Sequence, residues 1–415
     1  MSTTKKIFNN LEEVISNYYG KDKLASLHNG TFTKIEEEQL VSEELLNSIE
    51  SHSIENPKFA QKRKDQIAFL IDKLETELNE AIYFDLLLSL GKTAHNLSDY
   101  GYAKELYEIL INKIGNNGKF IDFLAHAYVG ISSALMQQAQ WQESLKYVLK
   151  ATELLSKEKD YYGMAKCENL IGVIYGEQGE FIEAERHFSN ALEFLYLKGD
   201  KHLRGMVETN LGIVNLVLNN YDLAKTRLKR ALSVFEQFED YGKIAEVRYN
   251  IGIVLSQQGQ FEEALNELDN GISAALKAEK LNYLGKSYLY KASMFSDMNK
   301  FTLAIAYADK AMDISLRIDD KLSVADIYRI KGIVHRKLKN RELSENYLIT
   351  SLNQNKKLNN KNNFAETSYE LGLLYREWDQ KEKSKQYLSD ALMYHKEIGA
   401  WKNVQKIEAL IEDLH

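Results

Sequence analysis

Apolar residues recur along most of the chain at helical spacing. Leu170, Ile171, Ile174 and Tyr175 fall on one side of a predicted helix. After a short polar stretch, a second apolar run contains Phe181, Ala184, Phe188, Ala191, Leu192 and Leu195. Spacings of three and four residues predict amphipathic α-helices and disfavour strands. The pattern therefore predicts two consecutive helices separated by a tight connection.

This two-helix pattern returns every 40 residues from about residue 120. A small residue stands in the middle of each first helix, at Ser132, Gly172, Gly212, Gly252, Ala292, Gly332 and Gly372. A glycine inside a helix costs about 1 kcal/mol relative to alanine, so its recurrence predicts a close approach between two helices. A divergent earlier unit contains Gly91, Tyr100 and Ala103. The sequence thus predicts about eight helix pairs.

The connection inside each pair has its own recurring residues. Gly179, Asn219, Gly259, Asn299 and Asp379 share one register point. Gly and Asn tolerate the left-handed conformation that ends many helices, so a tight turn is predicted there. Two residues later come aromatic residues that we expect to fill the gap between the helices: Tyr100, Trp141, Phe181, Tyr221, Phe261 and Phe301. Arg341 and Lys381 replace the aromatic residue in the last two units.

These positions together resemble the tetratricopeptide repeat, over roughly residues 84 to 400. The usual repeat has about 34 residues, and this longer form is similar to kinesin light chain, Pins-type polarity adaptors and Rap-type bacterial peptide receptors. The resemblance implies an all-α fold, a right-handed α-solenoid of about eight helix pairs. The proline that ends helices in the shorter form is absent from these units.

The ends of the chain lie outside this register. We predict an N-terminal helical segment at 1–80, a solenoid at 81–400 and a C-terminal capping helix at 401–415. The N-terminal segment shows amphipathic patterns at about 5–19, 34–50 and 57–79. Pro57, the only proline of the chain, suits the first turn of the third pattern. Two interpretations of 1–80 remain open, a cap on the first repeat and a separate output module.

The resemblance also implies that the first helix of each pair lines a concave face. On that face the candidate peptide-binding residues are Asn169, Met206, Asn210, Ile213, Val217, Tyr249, Asn250, Tyr290, Arg329 and Arg336. A primary amide both donates and accepts hydrogen bonds, so a row of asparagines suits an extended peptide backbone. Alternatively, the asparagines bond to neighbouring carbonyl groups, and the two arginines form solvated surface.

Composition narrows the function further. The net charge of −7 disfavours nucleic-acid binding, which needs a basic face. No apolar stretch approaches the ~18 residues of a membrane span, and no signal sequence is evident, so we predict a cytoplasmic protein without membrane contact. The single cysteine, Cys167, and nine scattered histidines indicate no metal site and no cofactor.

The predicted function is a non-catalytic protein-interaction scaffold that binds a peptide or an extended partner segment in the concave face. Leu90, Gly91, Lys92 and Thr93 imitate the end of a phosphate-binding loop, but Leu86 stands where that loop requires glycine. No catalytic residues are therefore assigned. The alternative is a peptide-responsive signalling regulator, like the Rap-type receptors, that acts through its N-terminal helices.

Overall fold

The computed structural model describes residues 10–11, 13–18, 20, 57–115, 117–197, 199–397 and 400–414. Within these ranges all regular secondary structure is helical. The chain divides into two compact units, Met1–Asp200 and Lys201–His415. This division does not test the predicted domain boundaries at residues 80 and 400, which stay predictions.

The first unit contains seven helices of the described residues after position 56. They are α1 (Pro57–Glu77), α2 (Glu80–Asn96), α3 (Tyr100–Ile114), α4 (Ile121–Gln137), α5 (Trp141–Glu158), α6 (Tyr161–Glu177) and α7 (Phe181–Leu197), with a 3-10 turn at Gly118–Phe120. Pro57 begins α1, as predicted, because the first position of a helix needs no N–H donor. Residues 10, 11 and 13–18 are also helical, whereas the predicted helix at 34–50 lies outside the described residues.

The second unit contains eleven helices of the described residues. Its helices are α8 (Lys201–Val217), α9 (Tyr221–Gln237), α10 (Tyr241–Gln257), α11 (Phe261–Lys277), α12 (Leu281–Asp297), α13 (Phe301–Arg317), α14 (Lys321–Lys337), α15 (Arg341–Lys357), α16 (Lys361–Glu377), α17 (Lys381–Glu397) and α18 (Trp401–Glu412).

Consecutive helices from α2 to α17 pack as pairs, which confirms the predicted helical-pair architecture. We number these pairs as repeats 1 to 8, so that α2 and α3 form repeat 1 and α16 and α17 form repeat 8. Within each repeat the first helix is called helix A and the second helix B. Repeats 1 to 3 belong to the first unit, and repeats 4 to 8 belong to the second.

The N-terminal helical residues belong to the core of the first unit. Leu11 and Ile15 are fully buried in the same apolar cluster as Leu86 and Leu106 of repeat 1. The hydroxyl group of Tyr18 donates a hydrogen bond to Asp85 Oδ2 at 2.6 Å. These residues therefore cover the first helix pair, as a cap does.

The connections inside the repeats and the connections between repeats are both tight turns that contain a residue in the left-handed conformation. The predicted turn residues Gly179, Asn219, Gly259, Asn299 and Asp379 all have positive φ angles. A second series of positive φ angles, absent from the sequence predictions, lies between repeats at Lys159, Glu239, Glu279, Asp319 and Asn359. None of these residues is glycine and only one is asparagine, so residue type did not predict a left-handed conformation at these positions.

The recurring glycines allow the predicted close approach of helices A and B. A Cβ atom added at Gly212 would lie 2.6 Å from Leu228 Cγ, and one added at Gly172 would lie 2.6 Å from a ring carbon of Phe188. In repeat 6 the glycine is replaced by Ala292, and the facing residue is the smaller Ala308 in the same buried cluster. The two positions are therefore matched in size.

A charged pair joins helices A and B in repeats 4 and 5, with opposite polarity. In repeat 4, Arg227 Nη1 donates to Glu208 Oε2 at 3.1 Å, and only 3% of the Glu208 side chain is exposed. In repeat 5, Arg248 Nη1 donates to Glu267 Oε2 at 2.7 Å. Glu208 and Arg248 share one register point of helix A, so the repeats exchange acid and base at one structural position.

Candidate functional site

Helices A of successive repeats contact one another within the second unit, α8 with α10, α10 with α12, α12 with α14 and α14 with α16. Within this unit each helix B of repeats 4 to 7 instead packs against helix A of its own repeat and of the next one. The helices A therefore form a continuous layer, and the exposed side of this layer is called the A face. The residues that the sequence predicts for peptide contact in this unit lie on these helices.

Three tyrosines cluster on the A face of repeats 5 and 6. The ring centroid of Tyr249 on α10 lies 6.3 Å from that of Tyr283 and 6.2 Å from that of Tyr290, both on α12. Lys286 lies over the Tyr283 ring at 5.6 Å. All three tyrosines are half-buried, so each keeps an accessible edge. The cluster combines apolar ring surface with hydroxyl groups, the combination typical of recognition surfaces.

The tyrosine hydroxyl groups stay protonated at neutral pH. Burial raises the pKa of Tyr249 to about 12, with a further contribution from nearby Tyr290 and Asp326. Burial also raises the pKa of Tyr290, whose side chain hydrogen-bonds with Ser256 and Gln257. The hydroxyl groups of Tyr249 and Tyr290 can therefore act as hydrogen-bond donors, whereas that of Tyr283 already donates to Glu246. Tyr283 was not among the predicted contact residues, although its aromatic type on a helix A gave a signal.

The three predicted asparagines do not share one environment, although their spacing predicted that they would. Asn250 is buried, and its Nδ2 donates to the backbone oxygen of Glu246 at 2.9 Å. Asn210 is half-buried on α8, and Asn169 is buried on α6 in the first unit. One N–H of Asn250 is thus used by its own helix, which favours the alternative of local carbonyl bonding for that residue.

The apolar candidates of repeat 4 lie on α8. Met206 and Ile213 are half-buried, and Val217 is exposed at the end of the helix. The three positions are separated by seven and four residues, so they follow one side of the helix. They provide an apolar strip on the A face of repeat 4.

The two predicted arginines are held by carboxylates. Arg329 forms ion pairs with Asp326 at 3.2 Å and with Glu366 at 3.0 Å. Arg336 donates to Glu370 Oε2 at 2.9 Å and to Glu377 Oε1 at 2.5 Å. The pairs with Glu366, Glu370 and Glu377 connect α14 to α16. The sequence marked both arginines as candidate peptide-binding residues or as solvated surface, but in the structure carboxylates compensate both charges.

Ion pairing also decides the protonation of these arginines. Burial alone would lower the pKa of Arg329, but the carboxylates of Glu366 and Asp326 outweigh it and raise that pKa. The same balance, with Glu370 and Glu377 as partners, raises the pKa of Arg336. Both guanidinium groups therefore remain charged and act as links between repeats 7 and 8.

Two further groups of residues bear on chemistry. Cys167 is fully buried, and burial raises the pKa of its thiol to about 12, so the reactive thiolate is scarce at neutral pH. Asp122, His126 and Asp160 place their ligand atoms within 4.8 Å of one another. Asp160 also accepts a hydrogen bond from the backbone N–H of Tyr162, so it serves as the N-cap of α6.

Models of known protein families match three stretches of the chain. A tetratricopeptide-repeat model matches residues 123–196 and 203–275, and a second such model matches residues 365–394. The chain carries tetratricopeptide repeats. The stretches matched by these models cover most of repeats 2 and 3 in the first unit and parts of repeats 4, 5 and 8 in the second. The family predicted from the recurring small residues is thereby confirmed.

Several solved structures resemble this chain in fold. A Rap protein complexed with competence and sporulation factor is 12% identical, with a TM-score of 0.57, and the match covers 80% of this chain and 97% of that one. The apo form of the quorum sensor NprR from B. thuringiensis is 16% identical, with a TM-score of 0.55 and coverages of 79% and 97%.

A third similar structure is aspartyl phosphate phosphatase F from Bacillus subtilis. It is 15% identical to this chain, with a TM-score of 0.54, and the match covers 98% of this chain and 94% of that one. At such identities these likenesses show the fold. None of the curated proteins compared with the chain matches it. Among the described helices, none has the length and apolar character needed to cross a bilayer.

Proposed function

We propose that the A face of repeats 4 to 6 binds an extended peptide segment of a partner protein. The observation that carries this proposal is the half-exposed cluster of Tyr249, Tyr283 and Tyr290, which combines ring surface with protonated hydroxyl groups. An extended peptide offers backbone carbonyl groups to such donors and apolar side chains to the rings. The apolar strip of α8 supplies further contact area in repeat 4.

The proposed binding is not accompanied by catalysis. Cys167 is buried as a thiol, and the arginines of repeats 7 and 8 are held by carboxylates, so these residues have structural roles. Similarity to a phosphatase at 15% identity supports the fold and does not transfer an active site. We therefore assign the chain a scaffold or adaptor role, with no cofactor.

Replacing Tyr290 by alanine is expected to weaken peptide binding about tenfold. The variant removes both the ring that faces Tyr249 and a hydroxyl donor, and truncation of a tyrosine contact commonly costs more than ~1 kcal/mol of binding free energy. Peptides selected from a random displayed library against the full chain provide the ligands. Fluorescence anisotropy of the labelled peptides measures Kd for the original chain and the variant.

The matched control is Leu316→Ala on α13, a helix B residue that is 64% exposed and lies away from the A face. This control should leave Kd unchanged. Asn210→Ala forms a second arm, because a lost amide hydrogen bond is expected to cost ~1 kcal/mol. Selected peptides that bind the Tyr290→Ala protein as tightly as the original chain would contradict binding at this face.

A second candidate function is a peptide-responsive regulator whose residues 1–80 act on another protein. It is supported by the fold shared with the Rap complex and NprR, and by the packing of Leu11 and Ile15 against repeat 1. In this mechanism a bound peptide shifts the N-terminal helices between two arrangements. The chain would then have a second partner besides the peptide, namely the protein on which residues 1–80 act.

Partner sets of the full chain and of a chain beginning at Ile82 distinguish the two functions. The regulator requires at least one partner that is lost from the shortened chain, because its output surface is removed. Circular dichroism must first show that the shortened chain is folded, since Leu11 and Ile15 belong to the core of repeat 1. Identical partner sets for two folded chains would exclude the regulator and leave the scaffold.

A further inference from the structure

A cavity of about 190 Å³ opens at the turn end of repeats 7 and 8, outside the tyrosine cluster. It is lined by Arg336, Lys339, Arg341, Leu374, Glu377 and Trp378. A space of this size can hold several waters or a small organic group. Three of the lining side chains are cationic and one is a carboxylate, which makes the cavity suitable for an anion.

The cavity coincides with a departure from the repeat pattern. Arg341 begins helix B of repeat 7, at the position where repeats 1 to 6 have an aromatic residue. Its guanidinium group lies over the ring of Trp378 at 5.6 Å. A guanidinium group attracted to an aromatic face still has its five N–H donors for other partners. The exchange of an aromatic side chain for arginine therefore places unshared donors in the cavity.

The cations of the cavity are not equally engaged. Arg336 and Lys339 both bind the carboxylate of Glu377, Lys339 Nζ at 3.0 Å from Oε2. Arg336 is held from outside the cavity by Glu370 as well. Among the described residues, no carboxylate lies within 4.0 Å of the Arg341 guanidinium group, although its side chain is exposed. Arg341 is thus the cation available to a ligand.

The ion pairs of Glu377 indicate that a carboxylate fits beside the cations of the cavity. Its carboxylate bridges an arginine and a lysine, with one oxygen toward each cation. Leu374 is buried, and Trp378 is half-buried, so one wall of the cavity is apolar. A second carboxylate placed between Lys339 and Arg341 would pair with both cations while the carbon skeleton behind it contacts that wall.

We propose that this cavity binds an organic carboxylate with an apolar or aromatic body, held by Arg341 and Lys339 and packed against Trp378. The carboxylate belongs either to a free small acid or to an acidic residue of a peptide. The site is separate from the tyrosine cluster of repeats 5 and 6. It therefore extends the proposed function without depending on it.

The test uses the full chain with Trp378 as its only tryptophan. Trp141→Phe installs the residue that repeats 3, 5 and 6 have at that position, and Trp401→Phe changes an exposed side chain. Titration with phenylacetate is expected to change the Trp378 emission to saturation. Phenylacetamide, which has the same shape without the charge, should bind at least ~10-fold more weakly, because it cannot form the ion pairs.

Variants of Arg341 locate the binding. Arg341→Tyr installs an aromatic residue of the type that the earlier repeats use, and Arg341→Gln removes the charge with less change in shape. Both should weaken phenylacetate binding at least ~10-fold. The matched control is Lys381→Tyr, the same register position in repeat 8, which does not line the cavity. Lys381→Tyr should bind phenylacetate like the parent.

Two peptides identify the source of the carboxylate. Acetyl-Phe-Glu-amide and acetyl-Phe-Gln-amide differ only in charge, so stronger binding of the first assigns the cavity to acidic peptide residues. Saturation by phenylacetate without such a difference assigns it to free acids. The proposal is overturned by equal binding of phenylacetate and phenylacetamide, by no saturable signal from phenylacetate and the acidic peptide, or by unaltered binding in folded Arg341→Gln. None of these outcomes depends on Tyr290 or on the A face.

Discussion

Replacing Gly212 by valine is expected to lower the free energy of unfolding by about 3 kcal/mol. The first added carbon would meet Leu228 Cγ at 2.6 Å, well inside van der Waals contact. That atom is the branch point of a fully buried side chain, so it cannot turn away without moving its neighbours. Overpacking of this kind typically costs 1–3 kcal/mol, which exceeds the small gain from removing a helical glycine. Urea unfolding followed by circular dichroism measures the change.

A compensating variant tests the cause. Adding Leu228→Ala to Gly212→Val keeps the summed side-chain volume nearly constant, and volume-conserving exchanges usually cost less than ~1.5 kcal/mol. The double variant should therefore be more stable than either single variant. Repeat 6, with Ala292 opposite Ala308, already shows such a matched pair. Simple addition of the two single effects would contradict size matching at this contact.

Gly271 provides the control for the glycine itself. A Cβ atom added there would have its nearest neighbour, Arg248 Cβ, at 3.4 Å, an ordinary contact distance. Other repeats have alanine at this position, as at Ala231 and Ala311. Gly271→Ala is therefore expected to stabilise the protein by up to about 1 kcal/mol. A loss of stability would show that helical glycines here are needed for reasons other than close approach.

Replacing Glu208 by arginine is expected to cost about 3–5 kcal/mol of unfolding free energy. The Glu208 side chain is only 3% exposed, and it is the shared partner of Arg227 and Arg230. The variant would place a third guanidinium group in a site already surrounded by two, and a buried charge without its partner is strongly destabilising. Urea unfolding of the full chain provides the measurement.

Exchanging the charges should recover much of this loss. Glu208→Arg combined with Arg227→Glu recreates in repeat 4 the polarity that Arg248 and Glu267 have in repeat 5. Recovery is expected to be incomplete, because Arg230 lies near the new arginine. A double variant as unstable as Glu208→Arg alone would show that the site depends on the shape of glutamate and not on the sign of the charges.

The two proposed sites would serve different parts of one ligand or two separate ligands. The tyrosine cluster offers rings and neutral donors in repeats 5 and 6, whereas the cavity of repeats 7 and 8 offers cations beside an indole ring. Between the sites, Arg329 forms ion pairs with Asp326 of its own helix and with Glu366 of the next repeat. The pair with Glu366 ties repeats 7 and 8 together.

The sequence alone was sufficient for the repeat architecture. The 40-residue period, the left-handed turns at residues such as Asn219 and Gly259, and the close approach at Gly212 were all predicted from it and are present in the structure. Each of these features depends on short-range backbone preferences or on a residue that recurs at one position. Recurrence makes them visible because several units give the same signal.

Side-chain partners were decided only by the tertiary structure. Arg336 and Glu370, 34 positions apart, meet because α14 packs beside α16. Arg341 at the start of α15 meets Trp378, the residue after α16, because α15 packs against α16. The sequence shows which residues of these helices are charged but not which of them pair. The pairing depends on the rotation and offset of neighbouring helices. A shift of one residue along a helix turns the side chain by about 100°. The surface pairs therefore depend on the helix rotation that packing of the core sets.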